Sequence, residues 1–249
     1  MPRQAREKSK SGIYHIMLRG INKQQIFEES EDYDKFLEIL KDCKVICEFE
    51  LYAYCLMGNH LHLLIKENDA PIEHIIKRIG TRFVYWYNIK YQRKGHLFQD
   101  RFKSEVVENR EYFLAVLIYI HQNPVKAGIC KAPGDYAYSS YNEYVSVARI
   151  TDTSHVLESW SLDSFVNSHN REVIAKCMDV VEDVSVRVTD EQAREIIKKV
   201  SKCESVAEFQ ALDIKSRDKY LRTLRENGLS IRQLSRLTGV SINIVRRFT

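Results

Sequence analysis

Along the first half of the chain, apolar positions switch between a spacing of two and the wider spacing of a helix. Ile13 to Leu18 reads as a short strand, closed by Arg19-Gly20. Asp32 to Cys47 places Phe36, Leu37, Leu40 and Val45 at helical intervals, with Cys43 and Cys47 one turn apart and expected in the core. Phe49 to Met57 is a strand with Leu51, Ala53, Cys55 and Met57 on one face. Gly58-Asn59, between two apolar runs, is a hairpin signal, and the partner strand runs from His60 to Lys66. Pro71 opens a long helix from Ile72 to about Tyr91. After Gly95 the pattern predicts a strand at Lys103 to Val107, then a helix from Arg110 to Gln122 with Asn109 as N-cap, stopped by Asn123-Pro124.

The order β-α-β-β-α-β-α predicts an α+β fold of the ferredoxin-like, split β-α-β kind: an antiparallel sheet with helices on one face. After Gly128 the pattern changes. Tyr136 to Tyr141 is aromatic and polar and is expected to pack back on the first domain. Ile150 to Asn170 is weakly patterned, and helical pieces resume at Arg171 to Val181. Two capping boxes, Thr189-x-x-Gln192 and Ser205-x-x-Glu208, predict a helical tail. Leu229 to Phe248 reads as a helix-turn-helix. Leu234, Leu237, Val240 and Val245 form its small core, Gly239 takes the turn, and Ser241 caps a helix presenting Asn243, Arg246 and Arg247 to DNA. A preceding helix, Ser216 to Asn227, completes a three-helix bundle; the plainer alternative is a helical hairpin used only for packing. The predicted division is a first domain over residues 1–145, a helical connector over 146–188, and an all-α domain over 189–249 ending in that module.

Composition changes this picture little. The chain has 249 residues, 44% hydrophobic and 29% charged, which is ordinary for a soluble globular protein. A net charge of +4 does not by itself demonstrate a nucleic-acid partner, but its distribution is informative. From Lys77 to Lys103 the basic residues, Arg82, Arg101 and Lys103 among them, interleave with Phe83, Tyr85, Trp86, Tyr87, Tyr91, Phe98 and Phe102. Basic side chains engage phosphates and aromatic faces stack bases, so the stretch suits single-stranded nucleic acid. It equally describes a helix with one aromatic core face and one solvated basic face. The six cysteines show no CxxC pair, the usage of a reduced cytosolic protein. With no signal peptide and no bilayer-spanning run, the expectation is a cytoplasmic, chromosome-associated bacterial protein with no membrane partner.

The candidate chemistry begins at His60-Leu61-His62. Side chains alternate across a strand, so both imidazoles share a face, about 6–7 Å apart along it, while Leu61, Leu63 and Ile65 fill the other. Two histidines with no cysteine nearby suit a catalytic cation more than a closed structural zinc. On the helix from Asn109, Tyr119 and Asn123 are i and i+4 and share a face. A phenol beside a carboxamide near a cation can attack a phosphodiester. Tyr119 is otherwise one more core aromatic among 14 tyrosines.

Three spaced segments then agree in order: Asn59 to Leu64, Gly95 to Ser104, and Tyr119 to Gly128. Together with Arg19-Gly20-Ile21-Asn22 and Tyr138-Ser139-Ser140-Tyr141, they resemble the HUH single-tyrosine transposases of small insertion sequences, and most closely the REP-associated tyrosine transposases. The resemblance spans about residues 12–145. It implies a ferredoxin-like nuclease that cuts single-stranded DNA at hairpin-flanked sites, with Mg²⁺ or Mn²⁺ and a covalent 5′-phosphotyrosine. Carried over by position, His60 and His62 become metal ligands and Tyr119 the nucleophile. Asn123 takes the third-ligand slot, four residues after the tyrosine, where insertion-sequence members place a Gln; here the Gln sits one residue earlier, at Gln122, and either amide could serve. Arg19 and Asn22 join Arg82, Arg101 and Lys103 as candidate DNA contacts.

Two other functions stay open on sequence grounds: a sequence-specific DNA-binding regulator derived from a transposase, and a metal-dependent hydrolase using activated water. The intact His pair and Tyr119 favour the nickase and strand transferase. A homodimer with exchanged tyrosine helices and a monomer acting in cis are both compatible with the sequence.

Overall fold

A computed structural model describes residues 6–170 and 188–248, which fall into two units, one within residues 1–181 and one within 182–249. The first is built on four strands: β1 (Ile13–Arg19), β2 (Glu50–Met57), β3 (His60–Lys66) and β4 (Lys103–Val106). They form one antiparallel sheet in the order β2-β3-β1-β4. This is the ferredoxin-like order, in which the two β-α-β crossovers set β1 and β3 side by side at the centre.

The crossover helices are α1 (Ser30–Cys47) and α2 (Ile72–Lys90). Helix α1 begins with a capping box between Glu29 and Asp32. Its stripe of Tyr33, Phe36, Ile39, Leu40, Cys43 and Cys47 packs with Ile75, Ile79 and Phe83 of α2 over Ile16, Leu18, Leu61, Leu63 and Ile65 of the central strands. Val45, expected in that stripe, is 74% exposed. It follows Cys43 by two residues, and so turns to the far side of the helix.

The expectation of helices on one face holds for α1 and α2 and fails for α3 (Arg110–Lys126). The second sheet face is also apolar. Ala53, Cys55, Met57 and Leu64 project there and are covered by Phe113, Val116, Leu117, Tyr119 and Ile120 of α3. One detail of β2 departs from simple alternation. The ladder pairs Leu51 with Ile65 and Ala53 with Leu64, so Tyr52 is an extra, bulged residue. Leu51 therefore lies with the first core and Ala53, Cys55 and Met57 with the second, where unbroken alternation would have grouped all four.

Helix α3 also passes its predicted stop and carries Pro124 inside it. A proline in the last turn removes one N–H, yet the Ala127 and Gly128 N–H groups still bond to the Asn123 and Val125 carbonyls. Gly128, at φ +68°, ends the run in the left-handed conformation.

Three short helices follow among the described residues of this unit: α4 (Tyr141–Val145), α5 (Ser154–Leu157) and α6 (Leu162–His169). The segment before α4 runs along the outer edge of β2. Leu56 N–H donates to Tyr138 C=O, Ser140 N–H to Tyr54 C=O, and Tyr54 N–H to Ser140 Oγ. The Tyr-Ser-Ser-Tyr segment thus covers an edge that would otherwise present unpaired backbone groups. Val156 of α5 and Phe165 of α6 join the second core.

The other unit contains α7 (Asp190–Ser201), α8 (Val206–Gln210), α9 (Ile214–Glu226), α10 (Ile231–Thr238) and α11 (Ile242–Val245), around Ile197, Phe209, Leu221, Leu224, Leu234 and Val245. Thr189 and Gln192 form the expected capping box; Ser205 caps through its side chain alone, and Ser230 with Gln233 forms a second box. Gly239, at φ +69°, ends α10, and a Cβ there would lie 2.2 Å from Gln210 Nε2. The helical pieces expected at Arg171 to Val181 lie outside the described residues. Among the described residues no helix is long and apolar enough to cross a membrane.

Candidate active site

The central strands β1 and β3 bring three imidazoles to the second sheet face. Their register pairs Met17 with His62 and Arg19 with His60. Since Tyr14, Ile16 and Leu18 point into the first core, His15, Met17 and Arg19 point with the His pair. His60 and His62 are 2% and 0% exposed, with ring centroids 5.2 Å apart. His15, also wholly buried, stacks on His62 at 5.1 Å, its Nε2 2.9 Å from His62 Nδ1.

Helix α3 lays Tyr119 over this group. Its ring meets His62 edge-on at 5.7 Å and His15 at 5.8 Å. Lys126, two turns later, sets its ammonium 4.6 Å from the centre of the Tyr119 ring. One chain thus assembles the phenol, the His pair and a cation side by side.

The histidines are prepared to act as neutral donors. Burial, together with the neighbouring His15 and His60, holds His62 well below its usual range. Burial also lowers His15, against the opposing pull of Glu105. His60 Nδ1 lies 2.6 Å from Asn59 Oδ1. An amide oxygen only accepts, so Nδ1 carries the hydrogen and Nε2 the lone pair. His62 Nε2 is buried without a hydrogen-bond partner among the described residues. An orphaned imidazole nitrogen beside a second histidine of fixed tautomer fits a divalent cation. Among the described residues no three His, Cys, Asp or Glu side chains converge on a common point, so a third protein ligand would have to be an amide or another oxygen.

The two candidate amides point differently. Asn123 Nδ2 donates to the Tyr119 carbonyl at 3.0 Å, and Gln122 Nε2 donates to the His169 carbonyl at 2.8 Å, tying α3 to the end of α6. The hairpin beside the His pair is held by the Arg19-Gly20 loop. Gly20 N–H donates to Asn59 C=O at 2.8 Å, and Ile26 N–H to Gly58 C=O at 2.8 Å. Gly20 is required there, because a Cβ would sit 2.2 Å from the Gln24 carbonyl oxygen.

Residues 8–123 match the family model described as "Transposase IS200 like". That stretch of the N-terminal unit, a little under half of the chain, is therefore similar to the IS200-like transposases. A Haemophilus influenzae protein provisionally named a REP-associated tyrosine transposase is 28% identical over 156 residues, covering 56% of this chain and 85% of the relative. The Escherichia coli REP-associated tyrosine transposase is 25% identical over 100 residues, covering 39% of this chain and 58% of the relative. The solved structure of a REP-associated tyrosine transposase bound to a REP hairpin superposes with a TM-score of 0.52 at 21% identity, over 58% of this chain and 86% of that one. At that identity the likeness establishes a shared fold.

Within the N-terminal unit the candidate DNA contacts are dispersed. Arg19 lies on the His face, its Nε buried without a hydrogen-bond partner among the described residues. Asn22 is exposed in a left-handed turn at φ 52°. Arg101 and Lys103 are exposed around the start of β4. Arg82 is on α2, across the sheet, where it pairs with Asp42 of α1 at 2.7 Å. In the other unit, Asn243, Arg246 and Arg247 are exposed. Sequence reasoning missed His15, Glu105 and Lys126. His15 could have been found: a split β-α-β order puts β1 beside β3, and alternation then places His15 on the histidine face.

Proposed function

We propose that the protein is a metal-dependent transposase that nicks and rejoins single-stranded DNA at hairpin-flanked sites through a covalent 5′-phosphotyrosine at Tyr119. The observation that carries this reading is the Tyr119 ring lying 5.7 Å from the ring of a histidine whose Nε2 is orphaned. His60, His62 and the Oδ1 of Asn123 would hold Mg²⁺ or Mn²⁺. The cation, when bound, supplies positive charge that polarises a phosphate oxygen.

The remaining steps belong to the chain's own groups. Tyr119 Oη forms a bond to the scissile phosphorus and the P–O3′ bond breaks; the phenolic proton passes to solvent and the departing 3′ oxygen takes one up. The Lys126 ammonium favours the developing phenolate. A 3′ hydroxyl attacking the phosphotyrosine reverses the step and rejoins a strand. Assembly of the phenol and both histidines from one chain supports action in cis.

The HUH domain is read with a helical connector and a C-terminal helix-turn-helix. Helices α10 and α11, joined through a left-handed Gly239, support that reading, and exposed Asn243, Arg246 and Arg247 are its candidate DNA contacts. Denaturing gels of end-labelled hairpin DNA test the function. A protease-sensitive covalent adduct is expected; binding without cleavage would point to a regulator, and cleavage without adduct to a water-using hydrolase.

A further inference from the structure

His15 is wholly buried between a candidate ligand and a carboxylate. Its Nε2 lies 2.9 Å from His62 Nδ1, and its Nδ1 lies 3.7 Å from Glu105 Oε2. Glu105 is the cross-strand partner of His15 on β4, while Met17, two residues along β1, is the partner of His62 on β3. The three side chains therefore form a row across β4, β1 and β3 on one sheet face. The row ends at His62 Nε2, buried and without a hydrogen-bond partner among the described residues.

One hydrogen lies between two neutral imidazoles in contact. If His62 Nδ1 carries it, His15 Nε2 accepts. The hydrogen of His15 then sits on Nδ1, toward the carboxylate, and His62 Nε2 presents a lone pair. Each order leaves one buried N–H without a hydrogen-bond acceptor among the described residues, His15 Nδ1–H in the first and His62 Nε2–H in the reverse. The charge of Glu105 separates them. The first order turns the N–H of His15 toward the carboxylate, whereas the reverse turns the lone pair of His15 Nδ1 toward that negative charge. At 3.7 Å the carboxylate is beyond hydrogen-bond range but close enough for its charge to orient a proton. Metal-ligating histidines commonly donate their other N–H, which fixes the tautomer and strengthens the donor nitrogen.

We infer that His15 and Glu105 are positioning residues, which hold His62 in its Nδ1–H tautomer with Nε2 presented as a metal ligand. The inference rests on the metal reading of His60 and His62. Neither residue touches DNA or the reacting atoms; both act through His62.

Two measurements on the full chain test it. The first is ¹⁵N NMR of histidine-labelled, metal-free protein, with His62 assigned by the loss of its signals in His62→Ala. The Nδ1–H tautomer is expected. The second is Mn²⁺ titration followed by electron paramagnetic resonance, for wild type, His15→Leu and His15→Gln. Loss of the acceptor in His15→Leu is expected to weaken Mn²⁺ about 10–100-fold. Gln, whose Oε1 can accept from His62 Nδ1, is expected to recover part of that loss, which a packing role would not predict. Hairpin binding in chelator should be equal in all three. Should His15→Leu fail to fold, the wild-type tautomer still decides. His62 protonated at Nε2 overturns the relay, as does Mn²⁺ affinity unchanged in His15→Leu. A wild-type protein that binds no Mn²⁺ overturns the metal reading and the relay with it, whereas Mn²⁺ binding with the wrong tautomer overturns the relay alone.

Discussion

The side-chain amide of Asn123 donates to the backbone carbonyl of Tyr119, 3.0 Å away on the preceding turn of the same helix. This bond ties the orientation of the candidate third ligand to the residue that carries the candidate nucleophile. With Nδ2 engaged, Oδ1 is the atom Asn123 can offer a cation. Asn123→Ala is expected to weaken Mn²⁺ binding at least about 10-fold while leaving the fold intact. Gln122→Ala, which unties α3 from the His169 carbonyl, is expected to lower stability by about 1 kcal/mol and leave Mn²⁺ affinity near wild type. Calorimetric titration of both variants reads this, and the opposite pattern would make Gln122 the ligand.

His60→Ala and His62→Ala are each expected to lower cleavage by more than about 100-fold in Mg²⁺, beyond the usual cost of losing an outer-shell partner. Hairpin affinity measured in chelator should survive, because the imidazoles are buried and offer DNA little surface. Wild-type cleavage rates in either variant would remove the metal assignment.

Glu143 closes the fold beside the sheet edge. Its carboxylate accepts from the N–H groups of Arg149, Ile150 and Thr151 at 2.7–2.9 Å and from the Tyr54 hydroxyl at 2.8 Å. Burial pushes its pKa up, but these donors pull harder and leave it below the usual carboxylate value. Glu143→Ala is expected to cost about 3 kcal/mol, since it leaves buried donors unsatisfied. A carboxylate with a depressed folded pKa contributes stability above its unfolded value, near about 4.3, and loses it as pH falls through the folded one. The gap between wild type and variant in urea denaturation should therefore be constant near neutrality and shrink below about pH 4. A pH-independent gap would mean the ionised form is not what stabilises the loop.

The order of elements is legible because each change of hydrophobic spacing marks one element, and His60-x-His62 because period two fixes a shared face. What escapes the sequence depends on partners distant in the chain. The Tyr52 bulge is visible only against β3, where one residue of β2 finds no counterpart. Pro124 looks like a helix stop until the C-terminal bonds of Ala127 and Gly128 are considered. The layer of helix α3 is not legible because the strands carry apolar residues on both faces, and periodicity alone does not say which face a later helix covers. Arg82 reads as a solvated base and is instead the partner of Asp42, 40 residues away in sequence.

Arg246 and Arg247 are exposed beside the short α11. Replacing both by Ala in the full chain is expected to weaken binding to target duplex and to flatten its salt dependence, by roughly 0.9 in log–log slope for each phosphate that an arginine no longer neutralises. Cleavage of a saturating hairpin substrate should be unchanged. Equal affinity and equal slope at matched salt would leave α10 and α11 as a packing hairpin.

Tyr119→Phe is expected to bind hairpin DNA as wild type does and to form no covalent adduct. Phe keeps the ring that packs edge-on against His15 and His62 and beneath the Lys126 ammonium, so α3 should stay in place and only the attacking oxygen is removed. An unperturbed phenol, with a pKa of about 10, is a poor nucleophile at neutral pH, so the reaction depends on charge placed beside it. Lys126→Ala removes the charge that the chain itself supplies, and should slow adduct formation several-fold without changing where the adduct forms. Tyr112 is the nearest competitor on the same helix, two turns earlier and partly buried against the second core. Peptide mapping of the trapped adduct separates the two. A phosphotyrosine at Tyr112, or an adduct that persists in Tyr119→Phe, would falsify the assignment, whereas loss of adduct with unchanged hairpin affinity isolates the Tyr119 oxygen as the group that attacks.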